Sequence, residues 1–229
     1  MNNRIIKGIE CYYKNIKNDR HCRYLSWEHC YLAFYNAIKK GDKREKTIDY
    51  LCLQLAFYLA SWGMYRGSSF LLQKDYTIHK EPIKIILDDT YSVLLGIKCD
   101  KLLSNINLLF ELIKKLEDEY EKVRAGIKGM VKNGVTDTLI SKVLLGTLGC
   151  VPAYDRFFKD GLRKIDMKNL SFNEKSIMEL CQYYAKYNDE LEKIRKTMYI
   201  KKIEYPQMKL IDMGFWMLGR DNSNLNRLI

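Results

Sequence analysis

Chemistry in this chain concentrates between Met130 and Lys159, and its centre is one carboxylate, Asp155, in the run V-P-A-Y-D-R-F-F. Asn133-Gly134 is a strong turn dipeptide, and Val135, Leu139, Val143 and Leu144 follow it at helical spacing. Thr136 or Asp137 is placed to cap that helix. Gly146 and Gly149 can end it, and Pro152 suits the start of the next. Asp155 then falls in a first helical turn, where the macrodipole favours negative charge. An acid held there can stabilise a cationic transition state or align a water molecule. The preceding turn offers a second chemistry. Backbone N–H groups of Gly134 and Val135 at a helix N-terminus, with Lys132 adjacent, make a seat for a phosphate. Lys142, expected on an exposed face, and Arg156 would support that seat, and Arg66, set between Gly63 and Gly67, is a further phosphate ligand. Tyr154 is the nearest aromatic for the wall of a base pocket. Each residue has an ordinary alternative: Asp155 paired with Arg156 or Lys159, Tyr154 packed beside Phe157 and Phe158, Lys142 solvated, Arg66 capping helix carbonyls.

Other chemistries lose their motifs. His21-Cys22 and His29-Cys30 lie eight residues apart, whereas zinc pairs prefer much closer spacing, so no metal is expected, and no cofactor. There is no G-x-S-x-G, P-loop or G-x-G-x-x-G, and no arginine stands five residues before a histidine, as in the R-x4-H motif of HEPN-type ribonucleases.

The elements that must hold these residues read as helices. Ser26 caps one running to about Lys40, a charged loop spans 39–46, and a helix apolar on most sides runs from about Thr47 to Tyr65. Pro82 opens a helix to about Leu95, and Asp100 caps another. Ser171 to Glu174 is an S-x-x-E box announcing a helix to about Met198, and Leu210 to Leu218 forms the last. No segment alternates as a strand does. The expected fold is therefore an all-α, compact, multi-helix globular protein. It forms one unit over 1–229, or two intimate helical subdomains with the hairpin and Asp155 in 115–165.

Lys and Arg number 39 against 28 Asp and Glu, a net charge of +11, which points to an anionic partner, most economically nucleic acid, DNA before RNA. The alternative is lysine-rich usage without a binding role. Seven scattered cysteines without a C-x-x-C, no apolar leader and no apolar run of membrane length make a reduced, cytoplasmic protein with no membrane partner the expectation.

The order of turn glycine, helix, glycine-containing link and V-P-A-Y-D-R-F-F resembles the helix-hairpin-helix DNA glycosylase superfamily over residues 132–159. The resemblance implies an all-α scaffold, Gly134 as the first hairpin glycine, and Asp155 as the aspartate beside a flipped nucleotide. It also implies an N-glycosidic bond as the bond cleaved, in DNA repair or defence. The pattern departs at K-N-G-V-T, where L-P-G-h-G is usual, so Thr136 replaces the second glycine. Thr138 falls near the place of the lysine nucleophile of bifunctional members and cannot form an imine. A monofunctional hydrolase acting without a lysine nucleophile follows. Two other readings stay open: a non-catalytic nucleic-acid-binding module on the same scaffold, and an all-α interaction protein whose charge is incidental.

Overall fold

The computed structural model describes residues 2–67, 69–127 and 134–220. Lys132 and Asn133 of the expected hairpin lie outside them. The described chain is all-α: α1 (Asn2–Asn18), α2 (Leu25–Lys40), α3 (Glu45–Ser61), α4 (Lys80–Ile86), α5 (Cys99–Ser104), α6 (Ile106–Ala125), α7 (Asp137–Thr147), α8 (Arg156–Arg163), α9 (Glu174–Lys186), α10 (Asn188–Arg195) and α11 (Gln207–Arg220). The one sheet described is a hairpin of β1 (Tyr199–Ile200) and β2 (Ile203–Glu204), with Lys201 in the left-handed region at φ 56°. Two-residue strands are too short to show alternation, which is why no strand was expected. No described helix is long and apolar enough to cross a membrane.

The centre of the molecule is not the helix the hydropathy pattern favours. α3 buries Ile48, Leu51, Leu55 and Leu59 but leaves Tyr50, Leu53 and Phe57 at 50%, 45% and 62% exposure. Its second apolar stripe faces outward, so an apolar circumference did not mean a central place. That place belongs to α7 and α11. Every α7 residue from Leu139 to Thr147 is buried, as is nearly all of α11. Thr136 caps α7 as expected, its hydroxyl accepting the Leu139 N–H at 3.3 Å.

Glycines set how closely α11 is wrapped. A Cβ on Gly161 of α8 would run into the Phe215 carbonyl, and one on Gly219 into the Phe157 carbonyl. The two backbones therefore touch, which carries the head of α8 over the α11 face that bears Lys209, Asp212 and Trp216 at helical spacing.

Other boundaries shifted for local reasons. The segment expected to run from Pro82 to Leu95 stops at Ile86, because the Asp88 carboxylate takes the Thr90 N–H at 2.9 Å and starts a 3-10 turn. Asn173, not Ser171, caps α9 through the Ser176 N–H, and the chain breaks again at Tyr187 before α10. The polar, tyrosine-rich N-terminus forms the long helix α1. All seven cysteines are free and five are buried as small apolar side chains.

His79 is fully buried, with Nδ1 2.7 Å from the Tyr120 hydroxyl and Nε2 2.8 Å from that of Tyr65. Desolvation pushes its pKa down to about 3. Between pH 6.5 and 3 the unfolded chain binds a proton here that the folded chain refuses. The stabilising contribution is whole above pH 6.5 and is lost as pH falls through that window. Urea unfolding is expected to show about 2 kcal/mol less stability at pH 5 than at pH 7 from this group. His79→Leu should flatten that slope, and an unchanged slope in the variant would assign it elsewhere.

Candidate active site

Asp155 stands at the N-cap of α8, one position before the first turn that was expected. Its Oδ1 accepts the Phe158 N–H at 3.0 Å. The start of that helix is set by this cap, and Pro152 lies outside it. The two residues leading to Asp155 are clamped by three hydrogen bonds. The Ala153 N–H donates to Asp212 Oδ1 at 3.0 Å, the Tyr154 N–H to Ser141 Oγ at 2.9 Å, and the Tyr154 carbonyl accepts Thr138 Oγ1 at 2.9 Å. Thr138, which falls where a nucleophilic lysine would resemble the family, thus serves to fasten the link between α7 and α8.

One helical turn further along α7 comes the main correction. Lys142 was expected to be exposed and to face a phosphate. It is 5% exposed, and its Nζ lies 3.5 Å from Asp155 Oδ2 and donates to the Trp62 carbonyl at 2.9 Å. A lysine in the middle of a helix buried on every side has no path to solvent, so its ammonium takes internal acceptors. Desolvation lowers its pKa, opposed by the attraction of Asp155 and Asp212 and assisted by the positive charge of Arg66. Arg66 itself is exposed, close enough for its field to reach the site.

A second buried pair lies behind the first. Lys209 Nζ is 2.8 Å from Asp212 Oδ2 and 3.2 Å from the Tyr12 hydroxyl, and the two residues are 1% and 5% exposed. Burial pulls the lysine pKa down and the aspartate pKa up, so each is pushed toward its neutral form while the other opposes the shift. Asp155 opposes the lysine's shift by favouring its charged form and adds to the aspartate's shift by disfavouring the charged Asp212. The four groups therefore form one electrostatic unit.

Aromatic rings enclose it. Lys209 Nζ sits 4.8, 4.7 and 5.8 Å from the ring centroids of Tyr12, Trp27 and Trp62. Tyr24 stacks on both Tyr12 and Trp62, and Trp216 stands edge-on to all three. Phe157 continues the wall at 5.7 Å from Trp216. Exposed arginines surround the rings: Arg23 over Tyr24 and Trp62, Arg220 over Trp216, Arg156 over Phe157, and Arg66 beyond Trp62.

Two further expectations are corrected. Tyr154 does not line this recess. It is fully buried, with its hydroxyl 2.7 Å from Ser176 Oγ and its ring against Phe158 and Phe172. The phosphate seat at Gly134 and Val135 is already taken. The Val135 N–H donates to Glu121 Oε2 at 3.3 Å, and that carboxylate is gripped by Arg124. A phosphate there would have to displace Glu121.

The residues missed are Tyr12, Tyr24, Trp62, Lys209, Asp212 and Trp216. One signal in the sequence marks part of the group: M-K-L-I-D-M-G-F-W places opposite charges three apart in an otherwise apolar helix. Among the described residues no group of three or more His, Cys, Asp or Glu is placed to hold a metal ion. Open grooves occur elsewhere, one of about 730 Å³ between α2 and α3 and one of about 630 Å³ beside α4 and α6. The Asp155 recess, by contrast, is packed shut by its own rings, with Tyr12, Tyr24, Trp27 and Trp216 each no more than 5% exposed. Compared with known proteins, the chain matches no family model, no curated sequence and no solved structure, so the geometry of this recess carries the functional argument.

Proposed function

We propose that the chain binds nucleic acid, DNA before RNA, and hydrolyses the N-glycosidic bond of a base drawn out of the stack, on a scaffold of the helix-hairpin-helix glycosylase type. The observation that carries the reading is the Asp155 carboxylate at the head of α8, held by a helix N-terminus and a buried lysine beside an aromatic recess. Buried charge in such a place costs stability, and perturbed titratable groups gather at functional sites. The net charge of +11 and the exposed arginines around the rings suit a phosphodiester partner.

In this reading the bond from the sugar C1′ to the base nitrogen breaks, and its electron pair leaves with the base, which takes up a proton from solvent. Asp155 faces the positive charge that develops on the sugar ring and orients the water whose oxygen bonds to C1′ and whose surplus proton passes to solvent. Lys142 is a positioning residue: its ammonium holds Asp155 and fixes the Trp62 carbonyl.

The test is base release from a panel of duplexes carrying damaged, mismatched or modified bases, together with binding measured against salt. Release from at least one duplex and a steep fall of affinity with salt are expected. Binding without release from any duplex would leave a non-catalytic module, and no binding at low salt would remove both readings. Borohydride should trap no adduct with the wild type. A trapped adduct that disappears in Lys142→Gln would replace water by the Lys142 amine as nucleophile.

A further inference from the structure

The recess holds a three-ring stack whose middle member differs from the outer two. Tyr12 and Tyr24 are 4.3 Å apart at 17°, and Tyr24 and Trp62 are 5.5 Å apart at 24°. Tyr12 belongs to α1 and Trp62 caps α3, while the perpendicular wall, Trp216, belongs to α11. Tyr24 ends the six-residue connector 19–24 between α1 and α2, at the N-cap of α2, while Trp62 stands at the C-cap of α3. A connector moves at lower cost than a packed helix, because fewer contacts hold it.

A second observation concerns the perpendicular wall. Trp216 Nε1 is buried and has no hydrogen-bond partner, and it is the one side-chain nitrogen or oxygen in that state among the described residues. Buried indole N–H groups normally find an acceptor, so this one calls for explanation. Tyr24 does not serve it, since its hydroxyl receives a hydrogen bond from Arg220 Nη1 at 2.7 Å, at the exposed end of α11. Arg23, the neighbour of Tyr24 on the connector, has its guanidinium carbon 5.7 and 5.1 Å from the centroids of the Tyr24 and Trp62 rings.

We infer that the Tyr24 ring fills the seat of a planar heterocycle, a nucleobase-like ring with a hydrogen-bond acceptor on its edge, which stacks between Tyr12 and Trp62 when the 19–24 connector swings out. The phenol ring gives the two walls the stacking they need in the closed state but supplies no acceptor to Trp216. A purine supplies both. Lys209 Nζ, 4.8 and 5.8 Å from the centroids of the two walls Tyr12 and Trp62, places an ammonium against those walls, and an electron-rich ring between them suits it. The inference deepens the base-excision reading and rests on it for the source of the ring, an extruded nucleotide. The seat itself can be tested with a free ring.

The probe is free purine, with indole as a ring of the same size that lacks the acceptor, titrated against the full chain by isothermal titration calorimetry. Tyr24→Ala is expected to bind purine about tenfold or more tightly than the wild type, the scale of one base-stacking contact. Indole should gain much less, and adding Trp216→Phe should erase the difference between the two rings. Equal, weak purine binding by wild type and a folded Tyr24→Ala would make Tyr24 an ordinary core ring and overturn the seat. If Tyr24→Ala does not melt cooperatively, Tyr24→Phe carries the test. It keeps the ring but releases it from Arg220, and purine binding should rise several-fold; no rise overturns the proposal. Base release by the wild type without any purine gain would sink the seat alone. A purine gain without base release from any duplex would keep the seat and sink the excision reading.

Discussion

Asp155→Asn is expected to lower base release by about two to four orders of magnitude, the range of a lost acid–base group, while nucleic-acid binding stays close to that of the wild type. The substitution isolates charge from structure. Asparagine is as good an N-cap as aspartate, so the Phe158 N–H keeps its acceptor and α8 keeps its start. Lys142 keeps the Trp62 carbonyl but loses its anion, which drives its already lowered pKa further down and lets the amine shed its charge rather than remain buried and unpaired. Melting should therefore change modestly, and affinity for a polyanion should hold or rise with one negative charge removed. Single-turnover base release, alongside a thermal melt and a binding titration, checks all three. An Asp155→Asn protein that melts like the wild type and releases base at the wild-type rate would end the catalytic assignment.

Asp212→Ala carries the largest expected effect on stability. It leaves the Lys209 ammonium, 1% exposed, without its counter-charge and the Ala153 N–H without its acceptor. Breaking a buried pair from one side costs about 3–5 kcal/mol, which threatens a domain of ordinary stability. Replacing both members tells what the pair is for. Lys209→Met with Asp212→Leu removes the desolvation penalty of both charges, a change often neutral or stabilising by about 1–4 kcal/mol. The orphaned Ala153 N–H gives back about 1–3 kcal/mol. The double variant is expected to unfold in urea near the wild-type midpoint while base release falls steeply. If it is as unstable as Asp212→Ala, the pair is an architectural element and its burial says nothing about a reaction.

The two predictions fall at opposite ends of what could be read before folding. Asp155 was legible as a carboxylate at a helix start because that role is local, although the structure sets it at the N-cap, one residue before the first turn expected. Thr136 at the start of α7 was legible for the same reason, a side chain bonding to a backbone N–H three residues away. Helical class followed from apolar spacing, and the basic balance is composition alone. Boundaries failed where a second polar residue offered a competing cap, as Asp88 and Asn173 did, because sequence proximity does not say which cap wins.

Amphipathic spacing states that a residue lies on a helix face, but not which neighbouring helix will cover that face. Lys142 reads as a solvated lysine until α2, α3 and the α8 head close over α7 and leave its ammonium nothing but Asp155 and a carbonyl. Tyr50, Leu53 and Phe57 read as core until α3 is seen to have no partner on that side among the described residues. Residues 12, 24, 62, 209 and 216 are separated by up to about two hundred positions, and only the close glycine crossings of α11 with α1 and α8 bring their rings and charges together. Sequence alone therefore determined the helical class, the Thr136 cap and the excess of positive charge, which depend on neighbours within a turn or on sums over the chain. Which charges lost their water, and which rings came to stack around them, was decided by contacts between distant segments, because desolvation and stacking are properties of the assembled interior.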